Sequence, residues 1–331
     1  MTEEGKHEHE LTEQETEELI AHFDRESNVR RFTGVPDILV KGLLLLFAVY
    51  VFWVTLIGNV PEQVRRSAFL GILVFTGYLL YPARRGMTKQ KNHIPWYDFV
   101  MGILGAIAFF YFVVNFDSII ERAARLQPLD IFMGIMGIVM LAELCRRVVG
   151  IPILVVAGGF IIYAFIAGFS LRRIVHQLFY TTEGIIGTPI GVCSTFIVIF
   201  IFLASFLEKS GIANFFIDLA NSVAGFTAGG PAKVAVIASA FFGMISGSSV
   251  ANTVGSGSVT IPTMKRTGYK PEFAAAVEAS ASTGGQIMPP IMGAAAFLMA
   301  ELTGISYPVI AISAAIPAVL YFTGIFLMVH F

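Results

Sequence analysis

The chain has 331 residues, of which 56% are hydrophobic, and its mean hydropathy is +0.75. Soluble domains contain about 45–50% apolar residues, so this composition excludes an ordinary soluble protein. Several segments near 20 residues carry few charges, which predicts an all-α polytopic membrane protein. The net charge of −1 conceals segregation, because residues 1–34 hold 10 of the 23 acidic groups and 4 of the 22 basic groups.

The acidic segment 1–37 is predicted to be a cytoplasmic tail, because it lacks the apolar stretch of a signal peptide. We expect an amphipathic helix around Glu15–Phe23 within it. His7 and His9 are more typical of a solvated charged tail than of a metal site. Cys145 and Cys193 lie in or beside apolar stretches, which predicts small buried side chains and no disulfide or metal framework.

Residues 38–175 are predicted to form a packing region of membrane helices. The expected spans are about Ile38–Val60, Ala68–Tyr81, Trp96–Phe116, Leu129–Leu144 and Ile151–Leu171. Small residues inside apolar helices let neighbouring helices approach closely. Such glycines occur as the pairs Gly102 and Gly105, Gly134 and Gly137, and Gly158 and Gly159.

Residues 176–331 have a different pattern, organised around the stretch Ser239–Thr263. A membrane-spanning helix needs about 20 apolar residues, and the apolar flank Val234–Ile245 supplies only 12. Backbone with small polar side chains is tolerated at membrane depth where it is buried in protein or lines a cavity. The stretch therefore predicts a re-entrant hairpin over about 231–263, with a binding site at its tip.

A second interruption follows in the segment 271–302. Two glycines and two prolines lie between Gly284 and Pro290, and these residues break a helix and free its backbone groups. We therefore predict a broken helix here. It is preceded by a span near Gly187–Leu207 and an amphipathic segment, Ala213–Ala224, and followed by a last span, Tyr307–Val329.

The distribution of charged residues indicates on which side of the membrane the hairpin opens. The loop 303–307 has no Lys or Arg, whereas five basic residues fall together if the hairpin enters and leaves on one face: Lys209, Lys233, Lys265, Arg266 and Lys270. Basic residues favour the cytoplasmic side. We expect a hairpin that opens toward the cytoplasm and an N-terminus on that same side.

Two broken elements rich in Ser, Thr, Asn and Gly are typical of ion-coupled secondary transporters. Their hydroxyl and carbonyl oxygens suit a hard monovalent cation, and helix N-termini suit anionic substrate groups. The candidate positions are Ser246, Ser248, Ser249, Asn252, Ser282, Thr283, Gly284 and Gly285. For any one of these residues, close helix packing is the simpler interpretation; the two clusters together favour a site.

Glu278 precedes the second break, and carboxylates inside a membrane are functional candidates. A gating or coupling role and a structural pairing with Lys265 or Arg266 are equally compatible with the sequence. An enzyme is disfavoured because the six histidines lie outside both broken elements, which leaves Ser248 without a base. Phosphate-loop and zinc-protease motifs are absent as well.

Four stretches carry a family resemblance: LFYTTEGIIGTPIGV, FLEKSGIANFFIDLA, GGPAKVAVIASAFFGMISGSSVANTVGSGSVTIPTMKRTGY and EASASTGGQIMPPIMGAAAFLMAE. They resemble the large membrane subunit of tripartite ATP-independent periplasmic (TRAP) transporters. The resemblance is dense over 176–331 and is nearest to the fused permeases of the TAXI branch. Over 38–175 it is one of hydropathy and order, and matches the small subunit plus a connecting helix.

The resemblance implies Na⁺-driven uptake of an organic acid or amino acid across a bacterial inner membrane, by an elevator-type movement. A soluble periplasmic binding protein of the TAXI type would deliver the substrate. It implies no cofactor beyond Na⁺ and no nucleic-acid partner. The implied Na⁺ positions are Ser246, Ser249, Asn252, Thr283, Gly285 and Pro289, and the implied substrate positions are Ser248, Ser282 and Gly284.

Such permeases contain two inverted repeats, and this sequence contains one hairpin and one broken helix. We therefore expect a fragment, a truncated product or one part of a split permease, whose partner is the remaining half. The alternative is a membrane scaffold or assembly protein without transport of its own.

Overall fold

The computed structural model describes residues 29–30, 32–83, 92, 94–122 and 125–331. Its regular elements are all helical there, and five helices are long and apolar enough to cross a membrane: Val35–Leu56, Trp96–Val114, Pro128–Val148, Thr188–Leu207 and Tyr307–His330. The predicted all-helical, polytopic class is confirmed. The expected helix around Glu15–Phe23, together with His7 and His9, lies outside the described residues.

The chain divides into two compact units, residues 1–190 and residues 191–331. In the first unit the helices are α1 (Val35–Leu56), α2 (Glu62–Leu80), α3 (Trp96–Val114), α4 (Phe116–Glu121), α5 (Pro128–Val148), α6 (Ile151–Ile166) and α7 (Leu171–Val175). A π-helical turn, His176–Tyr180, continues α7. Phe179 and Tyr180 of this turn are buried in the core of the first unit, which is why the unit extends past residue 175.

Aromatic side chains and glycines build the core of the first unit together. The ring of Phe179 packs against Phe109 at a centroid distance of 5.0 Å. A Cβ at Gly137 would lie 2.2 Å from Cε2 of Phe179, so the ring needs a glycine there. Gly158 and Gly159 differ, because no heavy atom of the described residues lies within 4 Å of a Cβ built on either. Their predicted role in close packing has no counterpart within this unit.

A buried ion cluster joins three segments of the first unit. Asp98, in the first turn of α3, pairs through Oδ2 with Arg30 and through Oδ1 with Arg147 of α5 at 2.8 Å. Arg30 also donates to the backbone carbonyls of Tyr78 and Leu79, each at 3.0 Å. Glu143 also pairs with Arg147, at 3.0 Å. Because both guanidinium groups are almost fully buried, Asp98 and Glu143 together supply the negative charge opposite two cations that water does not reach.

We predict that Asp98→Asn lowers the free energy of unfolding by about 3–5 kcal/mol, because removing one partner leaves buried charges uncompensated. Thermal unfolding of the purified protein in detergent measures the loss. Asp37→Asn is the matched control, because Asp37 pairs with an exposed Lys41 at 2.6 Å, and exposed pairs contribute at most about 1 kcal/mol. Equal destabilisation by the two variants would contradict the prediction.

The division between the units falls within α8 (Thr188–Val192), which runs through a π-helical segment, Cys193–Ile197, into α9 (Val198–Lys209). The remaining helices are α10 (Ile212–Ala224), α11 (Gly230–Ser246), α12 (Ser249–Arg266), α13 (Pro271–Gly284), α14 (Ala294–Thr303) and α15 (Tyr307–His330). A 3₁₀ turn, Gly285–Ile287, follows α13 directly. Cys145 of the first unit and Cys193 of the second are both free thiols, each partly buried.

Helices α11 and α12 form a hairpin of 17 and 18 residues whose turn consists of Gly247 and Ser248. The turn has fewer residues than the polar stretch of the sequence, because most of the Ser, Thr and Asn residues that follow are helical. Their hydroxyls hydrogen-bond to carbonyls of the same helix, as Thr253 does to Ser249 O at 2.8 Å. Gly247 has a φ of +59°, a conformation that favours glycine.

The helix of 271–302 is interrupted, so that α13 ends at Gly284 and α14 begins at Ala294. Between them, residues 288–293 are not helical, and the Pro289–Pro290 peptide bond is cis. The hairpin and the broken helix are neighbours within the second unit, and their contact is the candidate site.

Candidate functional site

The hairpin and the broken helix touch through their backbones. A Cβ built on Gly243 of α11 would lie 2.4 Å from Cα of Gly285, and one on Gly285 would lie 2.9 Å from Nδ2 of Asn252. No side chain fits at either of these two positions. The two glycines therefore bring the break of one element against the tip half of the other.

The hairpin also supplies hydrogen bonds to the backbone freed by the break. The amide of Ile291 donates to Met244 O at 3.3 Å, and the amide of Gly293 donates to Gln286 O at 2.7 Å. The Tyr307 hydroxyl lies 2.6 Å from Pro290 O and 2.7 Å from Ile291 O. Buried backbone groups need such partners, so the break depends on the hairpin and on α15.

Asn252 lies at the centre of this contact, and it is fully buried. Its amide nitrogen donates to Ser239 O at 2.9 Å. Its side-chain oxygen accepts from Ser239 Oγ at 3.2 Å and lies 3.2 Å from Ser256 Oγ. Ser239 Oγ is also 3.1 Å from Ser282 Oγ of the broken helix. One polar cluster thus connects α11, α12 and α13.

Glu278 of α13 is fully buried at the other end of the same cluster. Ser256 and Thr260 of α12 hydrogen-bond to Oε1 and Oε2 of its carboxylate, and Ser282 donates to Oε1 at 3.1 Å. A Cβ on Gly257 would meet Cγ of Glu278 at 2.9 Å. The carboxylate is thus held by hydroxyl groups, in a place that a glycine of α12 leaves open.

Three of the predicted residues lie at the hairpin tip instead. Ser248 is the N-cap of α12 and accepts from the Ala251 amide at 3.3 Å. Ser249 Oγ accepts from Gln286 Nε2 at 2.9 Å, which connects the tip to the break. Ser246 and Ser248 line a cavity of about 210 Å³ between the tip and helices α9 and α10.

The other predicted positions face different surroundings. Thr283 is exposed and bonds to Ala279 O of its own helix at 2.8 Å, whereas its neighbour Ser282 is buried. Gly284 packs against α15, where a Cβ would lie 2.6 Å from the ring of Tyr321. Pro289 lines an apolar groove beside Tyr307. The structure therefore brings together Asn252, Ser282, Gly285 and Glu278, and separates them from Thr283 and Pro289.

Sequence reasoning missed three members of the polar cluster: Ser239, Ser256 and Thr260. Their spacing carried a signal. Asn252, Ser256 and Thr260 are four residues apart, as are Glu278 and Ser282, and residues four apart share one face of a helix. Two such faces, each made of polar residues in an apolar chain, predict a buried polar seam between two helices.

The atoms of this cluster that could bind a cation are hydroxyl, amide and carboxylate oxygens. Among the described residues, no group of three or more His, Cys, Asp or Glu side chains could hold a metal ion. Oxygen ligands without nitrogen or sulfur suit hard cations rather than transition metals. The chemistry of the site thus fits a hard cation.

Comparisons with known proteins agree with this architecture. The family described as the DctM component of the tripartite ATP-independent periplasmic transporter matches residues 136–331, which is more than half of the chain. The site therefore lies in a membrane transporter component. The chain belongs to this DctM family of TRAP transporter permeases. No solved structure matches the chain.

Several curated relatives share this assignment. A C4-dicarboxylate TRAP transporter large permease protein of Pseudomonas aeruginosa is 32% identical over 48% of this chain and 35% of its own length. One of Vibrio cholerae is 40% identical over 28% of this chain and 20% of its own length. An isethionate TRAP transporter permease protein, DctMQ, of Oleidesulfovibrio alaskensis is 26% identical over 78% of this chain and 40% of its own length. The chain thus spans less than half the length of these relatives.

We predict that Gly243→Ala separates the hairpin from the broken helix, because the added methyl group would lie 2.4 Å from Cα of Gly285. Overpacking of this kind costs about 1–3 kcal/mol or more, and a fall in melting temperature of the detergent-purified protein measures it. Gly324→Ala in α15 is the control, since a Cβ there meets no described atom within 4 Å. A Gly243→Ala protein as stable as the control would refute the tight contact.

Proposed function

We propose that this chain is the permease portion of a Na⁺-coupled secondary transporter that imports small organic anions. The observation that carries the proposal is the contact of two discontinuous helical elements around Asn252 and Gly285. Transporters bind their coupling ions at discontinuous helices of this kind, with freed carbonyls and hydroxyls as ligands. Membership of a TRAP permease family supports the same function.

We place the coupling ion at the contact of the hairpin with the broken helix. The buried oxygens of Asn252 and Ser282 are the inner candidates, with the backbone of Gly285 beside them. Ser246, Ser249, Thr283 and Pro289 are the outer candidates, at the tip and on the more exposed side of the break. Na⁺ is cargo here, bound from one side of the membrane and released to the other.

The substrate is proposed to bind beside the tip, where Ser246 and Ser248 line the cavity of about 210 Å³. This cavity lies at the N-terminus of α12, and a helix N-terminus favours an anionic group. Relatives are named for C4-dicarboxylates and for isethionate, which supports a small organic acid as substrate. Ser282 and Gly284 are further candidates, on the side of the broken helix.

The partners in this proposal are a periplasmic binding protein, which supplies the substrate, and the rest of the permease. A TAXI-type binding protein and a fused small and large subunit remain our proposals. The similarity to the DctMQ relative reaches 78% of this chain, whereas the family match begins at residue 136, which favours the fused arrangement. Location in a bacterial inner membrane, with a cytoplasmic N-terminus, follows from the proposed function and the charge distribution.

An alternative is a membrane scaffold without transport of its own. The two functions differ in whether uptake occurs once the permease is complete.

Uptake by proteoliposomes decides between them. They would contain the complete permease and its binding protein, with a radiolabelled C4-dicarboxylate as probe alongside a panel of other organic acids. We expect uptake that requires an inward Na⁺ gradient and is unaffected by ATP. Uptake that persists without Na⁺ would refute the coupling, and no uptake of any probe from a folded, complete complex would favour the scaffold.

Asn252→Ala is predicted to raise the Na⁺ concentration for half-maximal uptake by about tenfold or more, since a buried oxygen ligand is lost. Thr283→Ala is predicted to have a smaller effect, because this hydroxyl bonds to its own helix. Ser258→Ala is the control, an exposed serine of α12 that bonds to Gly255 O at 3.1 Å. An unchanged Na⁺ requirement in Asn252→Ala would move the site away from this contact.

A further inference from the structure

The carboxylate of Glu278 is buried, and its hydrogen-bond partners among the described residues are three hydroxyl groups. An ionised carboxylate accepts hydrogen bonds and donates none, while each hydroxyl has a single hydrogen to donate. Ser256 Oγ also lies 2.8 Å from Asn252 O, and Thr260 Oγ1 lies 3.0 Å from Ser256 O. A charged acceptor forms the stronger hydrogen bond, so an ionised Glu278 directs the hydroxyl hydrogens of Ser256, Thr260 and Ser282 toward itself. Each of them is left with lone pairs for any other neighbour.

The orientation of these hydroxyl hydrogens affects the hydrogen bonds around Asn252. The Asn252 amide hydrogens go to backbone carbonyls, of Ser239 at 2.9 Å and of Ser282 at 3.5 Å. Its oxygen lies 3.2 Å from both Ser239 Oγ and Ser256 Oγ, but the Ser256 hydrogen is directed at Glu278. Ser239 is then the remaining hydroxyl donor in the cluster.

Ser239 has one hydrogen for two acceptors, the Asn252 oxygen at 3.2 Å and Ser282 Oγ at 3.1 Å. The cluster therefore contains more acceptor oxygens than hydrogens to fill them. Buried acceptors are costly when unpaired, and a cation satisfies several oxygens at once. The shortage of hydrogens originates at Glu278, because its carboxylate takes three of them.

We propose that Glu278 is a positioning residue for the coupling cation, and this inference rests on the proposed function above. Its carboxylate directs the hydroxyl hydrogens toward itself, so the oxygens of Asn252 and Ser282 present lone pairs to a monovalent cation. Its negative charge also balances the cation through these side chains. Glu278 acts on the ion through Ser282 and Asn252, without contacting it directly.

The packing around Glu278 indicates that this position is shaped to hold a carboxylate. Gly257 leaves the space that the Glu278 Cγ occupies, since a Cβ there would lie 2.9 Å away. Val277 and Ala281 on the same helix are fully buried in an apolar core. An apolar residue at position 278 would fill this space without desolvating a charge, so the carboxylate has a cost that packing alone does not explain.

Three variants test the proposal by the order of their effects. Glu278→Gln keeps the shape and removes the charge, and its amide donates hydrogens where the carboxylate accepted them. Glu278→Asp keeps the charge and shortens the side chain. Glu272→Gln removes a carboxylate from an exposed site in the first turn of the same helix, and serves as the matched control.

We expect Glu278→Gln to raise the half-saturating Na⁺ concentration by about tenfold or more, with a smaller change in maximal uptake rate. Glu278→Asp should bind Na⁺ more tightly than Glu278→Gln, and Glu272→Gln should stay within about twofold of the unsubstituted protein. A purely structural role predicts the reverse order for the two Glu278 variants, because Gln fits the space better. That reverse order, or an unchanged Na⁺ requirement in Glu278→Gln, would overturn the proposal.

Na⁺-dependent stabilisation against heat gives a second readout, because a ligand that binds the folded state raises its melting temperature. The detergent-purified permease is titrated with NaCl against choline chloride at constant ionic strength and pH. We expect the Na⁺ concentration that stabilises each variant to follow the same order as in the uptake assay. This measurement does not require uptake. Na⁺-independent uptake by the unsubstituted protein would refute the proposed function, whereas Na⁺-dependent uptake with the wrong order of variants would refute this inference alone.

If neither Glu278 variant folds, two hydroxyl variants make the same distinction. Ser282→Ala and Thr260→Val each remove one donor to the carboxylate. Among the described residues, the other hydrogen-bond partner of the Thr260 hydroxyl is Ser256 O of its own helix, at 3.0 Å. The proposal expects a clearly larger rise in the Na⁺ requirement for Ser282→Ala. Equal effects of the two variants would overturn it.

Discussion

The second unit depends on one constraint: a broken helix must find hydrogen-bond partners for the buried backbone groups that the break releases. Here the hairpin meets that need, because Met244 accepts from the Ile291 amide and Gly243 lies against Gly285. Contact this close is possible only where glycine removes the side chain. The same close contact brings Asn252 against Ser282. The contact that satisfies the broken helix therefore also forms the candidate site.

The two units use polar groups in opposite ways. In the first unit, buried arginines are matched by carboxylates: Asp98 pairs with Arg30 and Arg147, and Glu143 also pairs with Arg147. In the second unit, Glu278 is surrounded by hydroxyls, which carry no charge to neutralise an ionised carboxylate. A neutralised cluster stabilises a fixed scaffold, whereas a cluster that keeps negative charge and oxygen lone pairs is suited to bind and release a cation.

Family membership and geometry support the function from different directions. The DctM family match covers residues 136–331 and identifies a TRAP permease component, but it does not say which atoms act. The geometry indicates which oxygens share one buried cluster and which lie apart from it. The proposed Na⁺ coupling joins the two, because discontinuous helices supply the unpaired oxygens that coupling ions need. Glu278 extends that scheme by giving the oxygens a direction and the ion a counter-charge.

Composition and local pattern were enough to predict the helical class, the approximate helix positions, the hairpin and the position of the break, because helix length, glycine and proline act locally. Two predicted spans, Ala68–Tyr81 and Ile151–Leu171, correspond to helices that are not among the five long and apolar enough to cross a membrane. Asn252, Ser282 and Glu278 were singled out as well, since polar residues in apolar stretches are conspicuous. Only the tertiary structure showed that Ser239, Ser256 and Thr260 lie beside them and that Thr283 is exposed. It also showed that a Cβ on Gly158 or Gly159 would meet no described atom outside its own helix backbone and its chain neighbours. Which face of a helix meets another depends on packing between residues distant in sequence, and composition and local pattern do not encode that pairing.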